Sequence, residues 1–533
     1  MKDNRIYLFL KSNLFFFLLL TIVVFSLYGK SINFDFTYHD DDLLIKNQVP
    51  FLSDIGNAPK LFIMSCYFDR DNIYYRPILN LSFLIETCIF GLNTKIYHLT
   101  NIILFILALY LMYIFLVKLN LNQTILKFIV LLLSVHPIFT STVVWIPARN
   151  DTLLAILIFL SFIFFINYLK DNSNVNLISY ILFWTISLFT KETALLMVLL
   201  FPLFAHCFNY KIIKREIIKN LLIIIPIILI YFYLRNISTN KLQLENYLIN
   251  CYQYFENMVL GLIVYIDRFV NPLNTNMLLY KIQLNLREIF NAVFVCSVLI
   301  YIYCKRIIDR KELAFFVIWF IACLFTTFLL PDYVYLNHRI IISIFSVIAV
   351  ICYLADRLLT SFTNLKKYLV VLWCIFFIGF SYISFFQQDK YKEKNIYWKK
   401  AFAEAPTYHA FAYMLSRRYL EENNLQKAKE LLLEAMSLSD DRYLSDLALI
   451  YYYEGDMDKS EETYNKAIEY GINKAQCYRN LSTIYLKRDK DINKSIEYAK
   501  LAVQESPYDT EYKQYLQNLT AFYNKLADEK NNI

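Results

Sequence analysis

Three successive carboxylates, Asp40, Asp41 and Asp42, follow the first long apolar run within the segment NFDFTYHDDDLLIKNQVP. Carboxylate oxygens bind hard divalent cations, and a carboxylate can act as a general base toward an incoming hydroxyl group. A short run of acids can also be solvated loop charge without a further role. The acids therefore become informative only together with cations elsewhere in the chain.

Four cations match these acids in position: Arg76, Arg149, Lys191 and Arg339 each stand at the end of an apolar run, beside aromatic or proline residues. Arginine offers a planar fork to a phosphate group, and lysine offers a point charge. Each cation alone could be an anchor that reaches toward the lipid headgroups. Because all four are expected on one face, we predict that they bind a phosphate group.

Four of the six histidines, His39, His98, His136 and His338, are expected on the same face. No HxxxH or HExxH spacing occurs, so polar contacts at helix ends are a simpler interpretation than a zinc site. We keep His98, His136 and His338 as further site candidates, with Glu192 of the KE pair. The sequence has no Walker motif and no Ser-His-Asp spacing, so nucleotide hydrolysis and serine-hydrolase chemistry have no support.

The elements that must position these residues are apolar. The 533 residues are 58% hydrophobic and have a mean hydropathy of +0.40, which indicates a polytopic membrane protein. Clear spans are predicted near 13–31, 99–117, 151–169, 312–330, 339–355 and 367–386. Weaker ones near 125–137, 177–190, 193–208, 220–235 and 288–304 bring the total to about eleven crossings. The segments 78–90 and 258–270 are predicted to lie at the outer surface or to re-enter it.

Lys and Arg gather in every second loop, which places those loops in the cytoplasm. The acids and the four cations then lie on the non-cytoplasmic face. The C-terminal region lies there too, because the predicted number of crossings is odd. The first apolar run is predicted to be a signal anchor, since it follows basic residues and lacks a small-x-small cleavage site. The net charge of +8 comes from the membrane part and does not indicate nucleic-acid binding.

Internal periodicity begins after Trp398. Tyrosines recur at intervals of about 32 and 34 residues and alanines at about 32 and 35, close to the tetratricopeptide repeat (TPR) period of about 34. These are Tyr419, Tyr451 and Tyr485, and Ala435, Ala467 and Ala502. Small residues at such positions let the two helices of a hairpin close together, so the pattern is explained by the repeat core alone.

The expected fold is all-α: a transmembrane helical domain followed by a TPR α-solenoid. The predicted boundaries are 1–386 for the membrane domain, with an outer loop at 34–77, and 387–402 for a linker. Three repeats are predicted over 403–508, and a capping helix and tail over 509–533.

The segments YRPILNLSFLIETCIFG, HLTNIILF, SVHPIFTSTVVWIPARNDTLLA and LFTKETALLMVLLFP follow the acidic loop in that order. Together with the repeats, this order resembles the transmembrane and tetratricopeptide repeat-containing O-mannosyltransferase-like family, within the GT-C class of glycosyltransferases. The resemblance covers nearly the whole chain and is clearest over 38–202 and 400–508. It implies a GT-C-like fold for the membrane domain.

The resemblance also implies an activity: transfer of a mannose-like sugar from a polyprenol-phosphate donor to a hydroxyl group of a protein or glycan acceptor. The family's acidic pair falls on Asp40 and Asp41 if Ile45 is aligned, or on Asp41 and Asp42 if the triple is shifted by one residue. We take Asp40 and Asp41 as the catalytic pair and Asp42 as support for the acceptor or a metal ion. A divalent cation, Mg or Mn, is the cofactor that Asp40 and Asp41 could hold.

The same resemblance assigns the donor phosphate to the four cations. Arg149 in ARND and Lys191 in the KE pair match family positions, and NHR at 337–339 is similar to the family's late histidine-arginine segment. The expected partners are membrane lipid, the polyprenol-phosphate sugar, and an acceptor protein bound through the TPR array.

Two other functions fit the same composition. A non-catalytic, membrane-anchored TPR scaffold for envelope-protein assembly needs the same architecture without the site. A transporter or flippase is disfavoured, because few charged residues are expected at mid-membrane. A bacterial plasma membrane is favoured over an endoplasmic-reticulum membrane as the location.

Overall fold

The computed structural model describes residues 12–37, 39–68, 74–210, 214–239, 251–273, 278–279, 284–328, 335–362, 366–506 and 510–531. The chain divides into two compact units, Met1–Tyr397 and Trp398–Ile533. Strands in the described part amount to one short antiparallel pair, β1 (Leu278–Leu279) and β2 (Tyr335–Leu336). The expected all-α class is therefore confirmed. The boundary between the units falls inside the predicted linker 387–402, which contains helical structure.

Unit 1 contains α-helices joined by short 3₁₀ segments. They are α1 Asn13–Tyr28, α2 His39–Leu44, α3 Val49–Leu52, α4 Pro77–Phe90, α5 Thr94–Lys118, α6 Gln123–Ser134, α7 Thr140–Val144, α8 Arg149–Asp171, α9 Asn174–Leu188, α10 Met197–Cys207, α11 Lys214–Ser238, α12 Cys251–Val270, α13 Leu286–Lys305, α14 Arg310–Phe328, α15 Ile344–Ser361 and α16 Lys366–Gln387. The 3₁₀ segments include Gly29–Asn33, Lys46–Gln48, Ile55–Ile63, Pro137–Phe139, Ile146–Ala148, Glu192–Leu196, Asn337–Ile340 and Gln388–Tyr391.

Seven stretches of the described chain are long and apolar enough to cross a membrane. They are Asn13–Asn33, Thr94–Lys118, Ile146–Asp171, Lys219–Ser238, Leu286–Lys305, Ile344–Ser361 and Lys366–Tyr391. These helices are compatible with a membrane protein. The predicted spans near 177–190 and 193–208 correspond to shorter apolar helices, and the predicted span 312–330 runs past the described residues. The total of about eleven crossings stays a prediction.

One apolar stretch is broken rather than straight. Helix α6 and the segment Pro137–Val144 are bent by 58° relative to each other, so they form one broken span or a re-entrant loop. The break lies at His136 and Pro137, because a proline cannot continue the helical hydrogen bonds of the preceding turn. The predicted weak span 125–137 therefore ends at this break.

Helix α4 was expected at the outer surface as the segment 78–90. Its 14 residues reach about 21 Å, which is short of the hydrocarbon core of roughly 30 Å. Its length thus agrees with a helix that does not cross the membrane alone. The second such segment, 258–270, is the C-terminal part of α12.

The outer loop 34–77 has its own packed core. Phe36, Leu44 and Leu61 are buried against Phe83 of α4 and Tyr97 of α5. Such packing ties the short acidic helix α2 to two longer helices. The loop is therefore a folded element that can hold the carboxylates in fixed directions.

The last residues of unit 1 return to the acidic segment. Lys30, after α1, pairs with Asp389, after α16, at 3.0 Å, and the N–H of Asp35 donates to the carbonyl of Lys392 at 3.2 Å. The ends of α1 and α16 therefore lie on the same face of unit 1, and the chain leaves the unit beside the acidic helix.

Helix α17 (Lys394–Glu404) crosses the unit boundary, and the rest of unit 2 consists of helical hairpins. The helices are α18 His409–Glu421, α19 Leu425–Ser439, α20 Leu444–Glu454, α21 Met457–Glu469, α22 Lys474–Ile484, α23 Ile492–Glu505 and α24 Thr510–Asn531. A 3₁₀ turn, Asp440–Tyr443, precedes α20, and a π-helical turn, Tyr485–Asp489, follows α22. The repeating alanines Ala435, Ala467 and Ala502 are all buried.

The same backbone turn closes the first helix of each hairpin. Asn423, Gly455 and Lys490 adopt φ values of 59°, 84° and 52°. This left-handed conformation ends a helix and lets the chain reverse. The turns recur at nearly the same interval as the tyrosines and alanines, so the sequence period is matched by a period in the backbone.

Candidate functional site on the acidic face

Helix α2 is only six residues long and carries the three acids in its first turn. Consecutive residues of a helix project about 100° apart. Asp40, Asp41 and Asp42 consequently point in three directions and have three different sets of partners. The triple is thus not a single carboxylate cluster.

Asp40 faces the cations. It accepts a hydrogen bond from the hydroxyl of Tyr67, and the charges of Arg76 and Arg339 act on it. Burial nevertheless raises the pKa of Asp40 to about 6, because these favourable contacts only partly offset the loss of solvent around the carboxylate. A carboxylate with this pKa is ionised at neutral pH and is a stronger base than an ordinary aspartate.

Asp41 and Asp42 contact residues of the polypeptide chain around α2 instead of the predicted site cations. Asp41 is 1% exposed, and its Oδ2 accepts the backbone N–H of Thr37 at 2.9 Å. Asp42 pairs with Lys394 and lies 3.5 Å from Nζ of Lys46. These contacts favour a structural role for Asp41 and a tethering role for Asp42 over the catalytic and acceptor-supporting roles expected of them.

Arg76 immediately precedes α4, whose first residue is Pro77. Its Nη2 lies 3.8 Å from Oε1 of Glu192, and its guanidinium lies 4.5 Å from the ring centre of Tyr74. The predicted site residues Arg76 and Glu192 are therefore brought together, and the charge of Arg76 also acts on Asp40.

Lys191, at the start of the 3₁₀ segment 192–196, is held by Asp151 in the first turn of α8. The Nζ to Oδ1 distance is 2.6 Å, and the side chains are 10% and 5% exposed. Burial lowers the pKa of Lys191, and the Asp151 carboxylate counteracts that effect. Arg76 and Arg339 also act on Lys191 electrostatically, so three of the four predicted cations share one neighbourhood.

His338 belongs to the same group. Its Nε2 lies 3.7 Å from Oδ2 of Asp151, and its ring lies 4.8 Å from the ring of Trp145. Burial lowers the pKa of His338 to about 3; the carboxylate of Asp151 opposes this shift, and the neighbouring cations add to it. The imidazole is therefore neutral at physiological pH and does not add a fifth positive charge.

Two guanidinium nitrogens in this neighbourhood are available to an anion. Nη1 of Arg339 and Nε of Arg76 are buried and have no hydrogen-bond partner among the described residues. A buried donor without an acceptor costs roughly 1–3 kcal/mol. Each donor could therefore take an anionic ligand as its partner, and the charges of both arginines act on Asp40.

Arg149 differs from the other three cations. Its side chain is 0% exposed, and Nη1 lies 2.5 Å from Oε2 of Glu86 on α4. Nε donates to Oδ1 of Asn101 at 2.9 Å, and Nη2 donates to the carbonyl of Tyr97 at 3.0 Å. The guanidinium thus ties α8 to α4 and α5. The sequence predicted that Arg149 binds the phosphate of the sugar donor, and these contacts favour a structural role instead.

Two of the candidate histidines are packed into the helices. Nδ1 of His136 accepts the N–H of Ile138 at 3.2 Å, so Nε2 carries the proton that is shared with the carbonyl of Phe269 at 3.2 Å. His98 is 1% exposed and lies edge-on to Phe34. His136 therefore supports the break between α6 and α7, and His98 packs against the segment that follows α1. The side chain of His39 lies outside the described part of the structure.

The residues nominated for a divalent cation do not form a cage. No group of three or more His, Cys, Asp or Glu side chains in the described part of the chain could hold a metal ion. Asp41 is turned toward the backbone of Thr37, away from the environment of Asp40. A cation on Asp40 and Asp41 is thus not supported by the donor set of the described residues.

Several residues of this face escaped the sequence analysis. The chain has 44 tyrosines, and no sequence motif around Tyr67 distinguishes it from the others. Asp151 stands two positions after Arg149 in ARND, and an acid in the first turn of an apolar helix was a usable signal. Asp267 and Arg268, both buried near the end of α12, are charged residues within the apolar segment 258–270, which was also a usable signal.

Comparisons with known proteins reach only part of the chain. No family model matches it, and no solved structure matches it. The photosystem I assembly protein Ycf3 of Prochlorococcus marinus subsp. pastoris is 31% identical over 105 residues, which are 19% of this chain and 53% of that protein. The protein of the same name from Prochlorococcus marinus strain SARG is 33% identical over 67 residues, 13% of this chain and 39% of that protein. The chain therefore spans about half or less of the length of the curated relatives it matches.

Proposed function

We propose that this chain is a GT-C-type membrane glycosyltransferase that moves a mannose-like sugar from a polyprenol-phosphate donor to a hydroxyl group of a protein or glycan acceptor. The observation that carries the proposal is that the charges of Arg76 and Arg339 act on Asp40, while one buried guanidinium nitrogen of each arginine has no hydrogen-bond partner among the described residues. A base beside an anion site is what inverting transfer from a phosphate leaving group requires.

In the proposed reaction Asp40 takes the proton of the acceptor hydroxyl group. The acceptor oxygen forms a bond to the anomeric carbon of the sugar, and the bond from that carbon to the phosphate oxygen breaks. Its electron pair leaves with the lipid phosphate. Tyr67 keeps Asp40 oriented by donating a hydrogen bond to it.

Arg76, Lys191 and Arg339 stabilise the departing phosphate. Glu192 holds the side chain of Arg76 and Asp151 holds that of Lys191, while Arg339 has a buried guanidinium nitrogen. The positions of the three charges are therefore set before the reaction. Groups that need no reorientation as charge develops are the most effective electrostatic catalysts. The lipid tail of the donor would extend into the bilayer beside the apolar helices of unit 1.

Unit 2 is proposed to be a TPR array that binds the acceptor protein. Three hairpins with buried alanines at the repeat positions support this assignment. The similarity to the photosystem I assembly proteins is consistent with a TPR-containing chain.

The location is part of the proposal. About eleven crossings of a bacterial plasma membrane, with the acidic face and unit 2 on the non-cytoplasmic side, agree with the basic residues in alternate loops. The return of residues 389–394 to the acidic segment supports an odd number of crossings up to that point.

A second candidate is a membrane-anchored TPR scaffold without transferase activity. The specific observation in its favour is the similarity to two proteins named for photosystem I assembly. The comparisons alone favour this scaffold, whereas the side-chain geometry of unit 1 favours the transferase. Protein binding through unit 2 is common to both.

Sugar transfer from a polyprenol-phosphate donor, measured in membranes that contain the protein, separates the two candidates. We expect Asp40→Asn to lower the rate by about 10²–10⁴-fold, while Asp42→Asn, a matched control on the same helix, keeps most of it. Intact-mass analysis of envelope proteins from a deletion strain gives a second readout. Unchanged glycan masses, together with loss of an envelope complex, would instead support the scaffold.

A further inference from the structure

Arg339 lies in the short 3₁₀ segment Asn337–Ile340, which directly follows the two-residue strand β2. A single 3₁₀ turn has poorer hydrogen-bond geometry than an α-helix, so its side chains depend on contacts with other elements for their positions. Arg339 itself is only partly buried. The elements that hold this segment therefore determine where its guanidinium lies.

Helix α12 contacts two consecutive residues at the start of this segment. The hydroxyl of Tyr265 donates to the carbonyl of Leu336 at 2.9 Å, and Nη1 of Arg268 donates to Oδ1 of Asn337. Tyr265 and Arg268 stand three positions apart, so they lie on one face of the helix. Their exposed fractions are 0% and 2%. One buried face of α12 thus binds the chain immediately before His338 and Arg339.

The backbone after α12 reaches the same place. Strand β1 pairs with β2 in antiparallel register, with Leu278 opposite Leu336 and Leu279 opposite Tyr335. Leu336 is therefore held twice, by the side chain of Tyr265 and by the strand pair. The segment around Arg339 is fixed by α12 and by the chain that leaves it.

Helix α12 is in turn anchored to α13. Asp267 is 0% exposed. Its Oδ1 accepts from Nδ2 of Asn291 at 2.7 Å, and its Oδ2 accepts from Nη2 of Arg287 at 3.4 Å. Asp267 projects about 100° away from Arg268. One face of α12 is thus fixed to α13, while another face contacts the segment of Arg339.

The same segment contacts candidate site residues on its other side. Nε2 of His338 lies 3.7 Å from Oδ2 of Asp151, and its ring lies 4.8 Å from that of Trp145. The charges of Asp151 and Arg339 also act on the phenol of Tyr265. The contacts made by α12 therefore lie within electrostatic range of the candidate site.

We propose that Tyr265 and Arg268 are positioning residues for sugar transfer, which hold the chain before Arg339 so that its charge acts on Asp40 and on the departing phosphate. In this role both residues act through Arg339 and not on the reacting atoms. The inference rests on the proposed function, because it takes Arg339 as a ligand of the donor phosphate. Electrostatic catalysis requires charges that are in place before the reaction, so a small displacement of Arg339 is costly.

The pH profile of transfer from a polyprenol-phosphate sugar tests this role in the full-length protein. The charge of Arg339 lowers the pKa of Asp40, so a displaced Arg339 moves the rising limb to higher pH. Tyr265→Phe removes one hydroxyl and no charge. We expect its midpoint to rise by roughly half a unit and its kcat/KM for the donor to fall roughly 10–100-fold. Arg268→Gln should act alike, and Arg268→Lys, which keeps a charged donor, should recover most of the loss.

A double-variant comparison shows whether the two residues act through Arg339. In an Arg339→Gln protein, adding Tyr265→Phe or Arg268→Gln should move the midpoint by less than about 0.1 unit. A further shift of the usual size would mean a direct effect on Asp40 and would overturn the positioning role. The matched control is Arg287→Gln. It removes a cation beside α12 while Asp267 keeps its bond to Asn291, so the midpoint should stay in place.

Hydrogen exchange of peptides that cover residues 335–340 provides a readout without transfer. Exchange there should become faster in Tyr265→Phe and Arg268→Gln and stay the same in α9. Unchanged exchange at 335–340 would overturn the inference, and faster exchange with an unmoved midpoint would reduce both contacts to a structural role. Tyr265→Phe keeps its buried ring, so it carries the test if Arg268→Gln does not fold. If the unchanged protein transferred no sugar, the proposed function would fail and this inference with it, whereas transfer with unmoved midpoints in the variants would overturn the inference alone.

Discussion

Nζ of Lys191 lies 2.6 Å from Oδ1 of Asp151, and both side chains are nearly inaccessible to solvent. The contact joins the turn after α9 to the first turn of α8. Removing one partner of a buried ion pair leaves the other charge uncompensated, which is far more costly than the pair itself is favourable. The pair should therefore be a structural requirement of the site as well as a part of it.

The first prediction concerns this pair. Asp151→Asn and Lys191→Gln should each lower the free energy of unfolding by about 3–5 kcal/mol, and the double variant should lose clearly less than the sum. Thermal unfolding of the purified protein in detergent, followed by tryptophan fluorescence, measures all three. Additive losses would show that the two side chains do not interact.

The second prediction concerns the pH dependence of transfer. Because Asp40 must be ionised to accept a proton and has a pKa of about 6, the rate should rise with pH through about 6 and level off above it. Tyr67→Phe removes a hydrogen bond that lowers the pKa of Asp40, so the profile should move to higher pH, by roughly half to one unit. Initial rates in buffers of constant ionic strength measure the shift.

A matched control for Tyr67→Phe is Tyr74→Phe. Tyr74 contacts Arg76 through its ring, and the substitution keeps that ring. The rising limb of its pH profile should stay where it is in the unchanged protein. A profile for Tyr67→Phe that only falls in height, with the same midpoint, would contradict the role given to the hydroxyl.

The third prediction follows from the sign of the same pKa shift. The folded-state pKa of Asp40, about 6, is above the ordinary value of about 3.9, so folding favours the protonated form. This contribution to stability is fully present below pH 4 and is lost as the pH rises through 6. Asp40→Asn should therefore unfold at a higher temperature than the unchanged protein at pH 8, and at a similar temperature at pH 4. A lower unfolding temperature at pH 8 would contradict the raised pKa of Asp40.

The sequence could nominate the acids but could not rank them. The three acids have the same side chain, so the sequence alone cannot distinguish their roles. Successive residues of α2 project about 100° apart, and Asp40 therefore faces the cations, Asp41 faces Thr37 and Asp42 faces Lys394. The repeats were easier to predict, because a recurrence of residue types every 34 residues or so can be detected in the sequence itself. Their alanines are buried as that period requires.

Arg149 shows why a cation at a helix end is ambiguous. Its partners are Glu86, Asn101 and the carbonyl of Tyr97, which are distant in sequence and lie on two other helices. Hydropathy shows where a helix ends but not which neighbouring helix approaches that end. The roles of Arg149 and Arg76 could only be separated once α4 was placed.

The fourth prediction concerns the turns of unit 2. A β-carbon on Gly455 would meet nothing within 4 Å, but the residue has φ +84°, so Gly455→Ala should cost about 1 kcal/mol through backbone strain alone. Lys490 holds a similar conformation, with φ 52°, and Lys490→Gly should gain about 0.5–1 kcal/mol. Hydrogen exchange of peptides from α20–α23 in the full-length protein measures both changes. Equal protection in the two variants would mean that these turns do not limit local opening.

The fifth prediction uses the pairing of Lys30 with Asp389 at 3.0 Å. Because these residues follow α1 and α16, the two helix ends lie on the same face of unit 1, and in the proposed topology that face is non-cytoplasmic. Alkaline phosphatase fused after Phe36 or after Glu404 should be active in both cases, while a cytoplasmic reporter at either position should be silent. Opposite results at the two positions would contradict the return of the chain to the acidic face. Activity of the cytoplasmic reporter at both would keep that return but reverse the orientation, so that sugar transfer would have to use a donor on the cytoplasmic side.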